Sequence, residues 1–291
     1  MPDHPDNVHG LFVDNGTLTG NQITVQNVAN VGLRVKGGTA DIQGLTVTDA
    51  GTDGVWIDGG EATVTDLVVK KAGRYGTWAS GGSLTVQNMT LSDSSKIGIH
   101  VSAKGSAVME GVNVSGSGTN NIKIIDEGKL TVNGYADGSK SQIGNCTEDN
   151  VRAENQSVIT LNNVNVLPSA KNNVVAINGG TVYMTDSAVT GGNHSVLADT
   201  DGKVYLDTVS IGSSADSGIR ANKEYSYVEG KNVTIDGANT GLSIKSGTVQ
   251  ISSIAIRNTK KVGVSVAQAE KVANVTLNNL VTENCGTNAI Y

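Results

Sequence analysis

A four-residue phrase, a glycine followed by an apolar, a variable and a second apolar residue, recurs in this chain at a fixed distance. It begins at Gly10, Gly32, Gly54, Gly76 and Gly98, a spacing of 22 residues each time. It continues at Asn121, Asn150, Asn173, Ser195, Gly218, Gly241, Gly263 and Asn288, at spacings of 22 or 23 except for 29 residues after Asn121 and 25 at the end. A constant period of this length means stacked units, each burying the face that its neighbour leaves open. A run of antiparallel hairpins would not hold such a register.

Within one unit, Gly54 to Ala72, three short alternating segments stand out: Val55-Trp56-Ile57, Ala62-Thr63-Val64 and Leu67-Val68-Val69. Period-2 alternation is the mark of a strand with one buried face. Between the segments lie Asp58-Gly59-Gly60, Thr65-Asp66 and Lys70-Lys71-Ala72-Gly73, whose Gly and Asx residues tolerate positive φ at tight corners. Aligning the units puts two inward columns on the first strand. One runs Leu11, Leu33, Val55, Thr77, Ile99, Ile122, Val151, Val174, Val196, Ile219, Leu242, Val264; the other runs Val13, Val35, Ile57, Ala79, Val101, Ile124, Ala153, Ala176, Ala198, Ala221, Ile244, Val266. Thr77 is the single polar residue among them. The expected fold is therefore an all-β, parallel β-helix solenoid of roughly twelve coils of about 22 residues, three strands per coil, forming a single domain over residues 1–291. Coils of this length with three unequal strands resemble the right-handed, pectate-lyase-like class, and the hexapeptide repeat of left-handed β-helices is absent.

Composition agrees with a solenoid rather than a layered core: 37 Gly but only 3 Pro and 1 Phe. The net charge of -6 argues against general attraction to nucleic acid or anionic membrane. No apolar run approaches the ~18 residues of a membrane span, and Met1 to Asp6 has neither the basic nor the apolar region of a leader. The pattern begins at once with Asn7-Val8-His9-Gly10 and stops at Asn288-Ala289-Ile290-Tyr291 without capping sequences, so a fragment of a longer array is expected. Cys146 and Cys285 sit six coils apart, roughly 29 Å at the strand spacing, too far for a disulfide. Histidines 4, 9, 100 and 194 are scattered, no Cys/His metal spacing occurs, and no cofactor or metal is expected.

Function on a solenoid belongs to its outward columns. On the first strand the outward column reads Phe12, Arg34, Trp56, Trp78, His100, Lys123, Arg152, Val175, Leu197, Arg220, Ser243, Ser265. It holds the only Phe, both Trp residues and no acid, in a chain that is acidic and poor in aromatics. Trp faces stack on sugar rings, and Arg or Lys between them pairs with uronate or sulfate groups. Phe12, Arg34, Trp56, Trp78, His100, Lys123 and Arg152 are thus the candidate ligand-binding residues. The same residue types equally suit an exposed β surface covered by a neighbouring loop or domain. The next outward column, with Asp14, Lys36 and Asp58 on successive coils, reads as a surface salt-bridge ladder rather than a catalytic carboxylate pair. Two insertions, residues 133–140 and 222–227, interrupt the regularity and mark a possible binding face.

The phrases Gly54-Val55-Trp56-Ile57-Asp58-Gly59-Gly60, Gly98-Ile99-His100-Val101 and Ala40-Asp41-Ile42-Gln43-Gly44-Leu45-Thr46-Val47 resemble the passenger domains of bacterial autotransporters of the pertactin-like class. That resemblance implies a non-catalytic adhesin, exported to the cell surface and anchored by an outer-membrane barrel beyond this sequence. It also implies host glycans, extracellular-matrix proteins or further copies of the chain as partners. Val55-Trp56-Ile57-Asp58 is similar to a pectate-lyase phrase too, but Gly59 stands where that family has His, and Ser80 and Ser102 stand where calcium-binding carboxylates are wanted. A polysaccharide lyase or hydrolase, and a self-associating structural module, remain the alternatives.

Overall fold

A computed structural model describes residues 8–267 and 273–291. Spatial contacts divide the chain into two units, Met1–Thr147 and Glu148–Tyr291. Every regular element described in either unit is a strand, and the whole is a parallel solenoid of about 12 turns. His4 and the rest of the segment before Val8 lie outside the described residues, so the expectation of no leader there is not addressed by the fold.

In the first unit the short strands are Leu11–Asp14, Leu33–Lys36, Val55–Asp58, Tyr75–Ser80, Ile97–Ser102 and Ile122–Ile124. They pair in parallel, so that Leu11, Leu33, Val55, Thr77, Ile99 and Ile122 lie in one register and Val13, Val35, Ile57, Ala79, Val101 and Ile124 in another. Nearly all of these side chains are buried. Each large one contributes about 1.5–3 kcal/mol against exposure. In the second unit Val151, Val174, Val196, Ile219, Leu242 and Val264 continue as a column of the same kind. Val266, expected inside, is 39% exposed. Its strand partner Asn288–Ile290 pairs only as far as Val264, so no side chain of that strand lies over Val266.

The three strand segments expected per coil are present, but not always as separate elements. In most coils the second and third are one continuous strand bent at a single residue. Glu61–Lys70 pairs with Thr39–Thr48 and with Ser83–Ser92, and the pairing omits only Asp66 and its counterparts Gly44 and Asn88. These three have φ of +55°, +76° and +57°. One left-handed residue turns the chain through a corner and restores the ladder at the next position. Asn88 Nδ2 donates to Asp66 Oδ1 at 3.0 Å, so the corners also bond one to the next. Where the ladder opens, as between Val158–Asn162 and Val164–Val166, the separating residue Asn163 holds the same conformation, φ +57°.

The repeating glycine has a steric cause. A Cβ on Gly54 would lie 2.4 Å from Val69 Cγ1 and 2.5 Å from the carbonyl oxygen of Gly76. At Asn121, Asn150 and Asn173 a buried asparagine takes its place, and its amide donates to a backbone carbonyl, that of Gly144, Leu167 and Thr190 respectively. Buried Asn173 donates to the Thr190 carbonyl at 2.7 Å, and Asn150 donates to Asn173 Oδ1 at 3.0 Å.

The insertion at 133–140 leaves the coil as a compact loop in which Tyr135 N–H donates to the Ser139 carbonyl and Ser139 donates to Asp137. Ser141 then closes the gap: its hydroxyl accepts from Val112 N–H at 2.8 Å and donates to the Asn133 carbonyl at 2.7 Å. In the second insertion Ser226 donates to the Lys223 carbonyl, leaving Tyr225 outside at 71% exposure. Cys146 is buried and Cys285 partly so, neither in a disulfide, and both follow a left-handed corner asparagine.

Candidate functional site

The first-strand column of the first unit forms as expected: Phe12, Arg34, Trp56, Trp78, His100 and Lys123 are successive partners across the ladder. Arg152 belongs to the second unit, where it is the partner of Val175. What the side chains do with that proximity is more specific than an open row of binding groups. The Trp56 and Trp78 rings are stacked, centroids 4.8 Å apart and planes 10° apart. The Arg34 guanidinium lies over Trp56 at 4.1 Å from the ring centre, and His100 stacks on Trp78 at 6.0 Å. Each indole face is therefore largely occupied by the neighbouring coil. Only Phe12, at the edge of the stack, is widely exposed, at 51%. The expectation of sugar rings lying on free indole faces is corrected accordingly: the Trp residues turn their edges outward.

Arg74 and Tyr75, at the entrance to the fourth short strand, close over this stack and went unnoticed in the sequence because they precede the repeat position. The Arg74 guanidinium sits 4.7 Å from the Trp78 ring centre and 4.8 Å from that of Tyr75. Tyr75 meets Trp78 edge-on at 5.5 Å and covers His100 at 4.8 Å. His100, counted as outward, is consequently only 5% exposed. Its Nδ1 lies 2.7 Å from the Lys123 carbonyl and must carry the proton there, because a carbonyl can only accept. Burial, the leading cause, holds this imidazole below its ordinary value of 6.5. Trp78 Nε1 donates to Ser102 at 2.9 Å, whereas Trp56 Nε1 is buried without an acceptor among the described residues.

Arg34 and Arg152 of the outward column, and Arg74 beside it, are already matched by acids. Arg34 Nη2 lies 3.0 Å from Asp58, Arg74 is held by Asp53, and Arg152 contacts both Asp149 at 2.9 Å and Glu154 at 3.0 Å. The salt-bridge ladder expected of Asp14, Lys36 and Asp58 does not form: Asp58 pairs with Arg34, and Lys36 has no ion pair among the described residues. The guanidinium of Arg34 reaches it across the strand, where its stacking on Trp56 already holds it in place.

A second aromatic arrangement stands on the long-strand face of the second unit. Tyr183, Tyr205 and Glu229 are register partners in one outward column, and Thr185, Asp207, Lys231 and Ser252 in the next. The Tyr183 and Tyr205 rings stack at 4.7 Å and 12°, with Tyr227 tilted against Tyr205 at 5.6 Å. The two columns, without Tyr227, line an open groove of about 320 Å³. Part of the signal was in the sequence, since Tyr183 and Tyr205 stand one coil of 22 residues apart, but Tyr227 falls two residues short of their register, opposite Lys203, and all three lie off the first strand. Among the described residues no cluster of three or more His, Cys, Asp or Glu could hold a metal ion. Nor, among those residues, is any helix long and apolar enough to cross a membrane.

Residues 31–152 match the family model described as a right handed beta helix region. No curated protein matches the chain. Two solved structures are similar to it. One is the catalytic domain of a GH87 alpha-1,3-glucanase in complex with nigerose, 15% identical over 96% of this chain and 61% of that one, with a TM-score of 0.42. The other is the catalytic unit of a thermostable GH87 alpha-1,3-glucanase from Streptomyces thermodiastaticus, 14% identical over 97% of this chain and 59% of that one, with a TM-score of 0.35. The chain thus spans about three-fifths of the length of each.

Proposed function

We propose that this chain is the binding portion of a bacterial cell-surface adhesin of the autotransporter-passenger kind, secreted and held at the outer membrane by a segment outside this sequence. Its ligand is a host glycan, with glycosaminoglycans the first class to try, or a matrix protein, contacted along Phe12, Arg34, Trp56, Trp78 and Lys123, with His100 supporting the column from beneath Tyr75. The observation that carries the reading is the in-register stack of Arg34, Trp56 and Trp78, at 4.1 and 4.8 Å between successive groups. A rigid row of groups at the spacing of the coils suits a ligand that itself repeats. The two acids beside the stack, Asp53 and Asp58, are committed to Arg74 and Arg34, which favours binding over acid–base chemistry at this place.

Because the arginine charges are compensated and the indole faces covered, shape and contacts to the ring edges rather than net charge should govern recognition, and salt should weaken binding only modestly. A glycan array probed with the parent chain and with Trp56→Ala and Trp78→Ala variants tests the assignment. A shared ligand whose binding falls about tenfold in both variants is expected; unchanged binding in both would remove the site from consideration.

A further inference from the structure

We propose that the tyrosine-walled groove of the second unit is a carbohydrate site in its own right, taking a short stretch of a neutral hexose polymer that runs along the coil stack. The proposal is independent of the reading of the Trp56 and Trp78 column and uses none of its residues. Three properties of the groove lead to it.

The first is its platform. Stacked aromatic rings offer a flat apolar surface, and here the pair ends on a side that nothing large covers: the register partner of Tyr183 on the preceding coil is the small Thr160, and Tyr183 is 41% exposed. The apolar C–H face of a pyranose is the natural counterpart of such a ring. In the Trp stack, by contrast, neighbouring groups occupy the ring faces.

The second is the opposite wall, which presents the hydrogen-bonding groups a polyhydroxylated ligand needs. Thr185, Asp207, Lys231 and Ser252 supply both acceptors and donors, and Glu229 follows the two tyrosines in their own column. Glu229 is held in place, because the Tyr227 hydroxyl donates to it at 2.7 Å. That hydrogen bond is the main reason the Tyr227 phenol is pushed up to about 12. Two carboxylates against one ammonium leave the groove acidic, which disfavours uronates, sulfates and phosphates and selects for neutral sugars.

The third is size. The wall from Thr185 to Ser252 crosses three coil spacings, roughly 14 Å, which accommodates two to three units of an extended glycan. The volume of about 320 Å³ lies near the lower bound of about 300 Å³ for small-ligand sites.

The test is calorimetric titration of the whole chain with cello- and manno-oligosaccharides of increasing length, with trigalacturonate and spermidine as anionic and cationic controls. Binding of at least one neutral series is expected, with affinity rising until about three units and then levelling. Tyr183→Ala should weaken it about tenfold, while Tyr183→Phe, which keeps the ring, stays within about twofold. Asp207→Asn should weaken it several-fold. Thermal melts of each variant separate loss of the site from loss of the fold, and Tyr183→Phe and Asp207→Asn keep the test alive if Tyr183→Ala does not fold. Absence of binding by both neutral series overturns the proposal. So does binding that ignores both Tyr183→Ala and Asp207→Asn, or tighter binding of trigalacturonate or spermidine than of the sugars.

Discussion

Arg74 grips Asp53 through two hydrogen bonds, Nε to Oδ1 at 2.9 Å and Nη2 to Oδ2 at 2.5 Å, and the carboxylate so held is 0% exposed. Tyr75 N–H adds a third bond to Oδ1 at 3.2 Å. The arrangement ties one coil to the next and at the same time lays the guanidinium over Tyr75 and Trp78. Its two partners are unequal, because the acid is inside and the base is partly in water. Arg74→Met would strand a buried carboxylate and should cost about 3–5 kcal/mol. Asp53→Asn leaves the guanidinium able to turn to solvent and should cost less, about 1–3 kcal/mol. Equilibrium urea unfolding of the two variants measures the difference, and the reverse order would mean that the pair is not anchored by the acid.

Thr77 is the polar interruption of an otherwise apolar inward column, and its hydroxyl is buried without a partner among the described residues. Valine has nearly the same shape and no hydroxyl to desolvate. Thr77→Val should therefore stabilise the chain by about 1 kcal/mol, read as a higher urea midpoint at unchanged slope.

The buried imidazole of His100 links stability to pH. Its folded value lies below the unfolded 6.5, so the unfolded chain takes up the proton more readily. The contribution of neutral His100 is complete above about pH 6.5 and is lost as pH falls from there through the folded value. His9 and His194 are lowered as well, chiefly by burial, and act in the same direction. Melting temperature should fall between about pH 7 and about pH 5, and the fall should be shallower in His100→Asn, whose amide can still donate to the Lys123 carbonyl. An identical pH profile in parent and variant would count against this account.

Glycines of the chain differ sharply in what they tolerate. Gly54→Ala places a methyl against Val69 and the Gly76 carbonyl and should destabilise by about 1–3 kcal/mol. At Gly16 an added Cβ meets nothing within 4 Å, so Gly16→Ala should be neutral or stabilising by up to about 1 kcal/mol. Thermal melts of the two variants should move in opposite directions or differ by several degrees.

The repeat made the fold legible. Once Gly54 and Gly76 are recognised as equivalent, the inward column and the register of Trp56 on Trp78 follow from counting alone. Counting could not show how neighbouring side chains would use each other. That Arg34 would turn from Lys36's neighbourhood to Asp58 and the Trp56 face, or that Tyr75 would cover His100, depends on rotamers and on competition among partners within a few ångströms. Arg74 and Tyr75 escaped notice because turn residues carry no periodic signal. The tyrosine groove escaped for a different reason: its signal is as regular as that of the tryptophans, but it lies on the face whose columns were not read.

The corner at Asp66, one left-handed residue flanked by its equivalents Gly44 and Asn88, sets the arithmetic by which such a chain can change length. Excising the segment from Gly54 to Tyr75 would join Asp53 to Gly76, a residue in the same place of its own coil, and every corner would still face a corner. Removing one residue fewer would set each corner against a straight stretch and turn inward side chains outward. Extra residues have to leave the coil altogether, as those around Tyr135 do. For a fold of this kind the natural unit of insertion and deletion is the coil, not the amino acid.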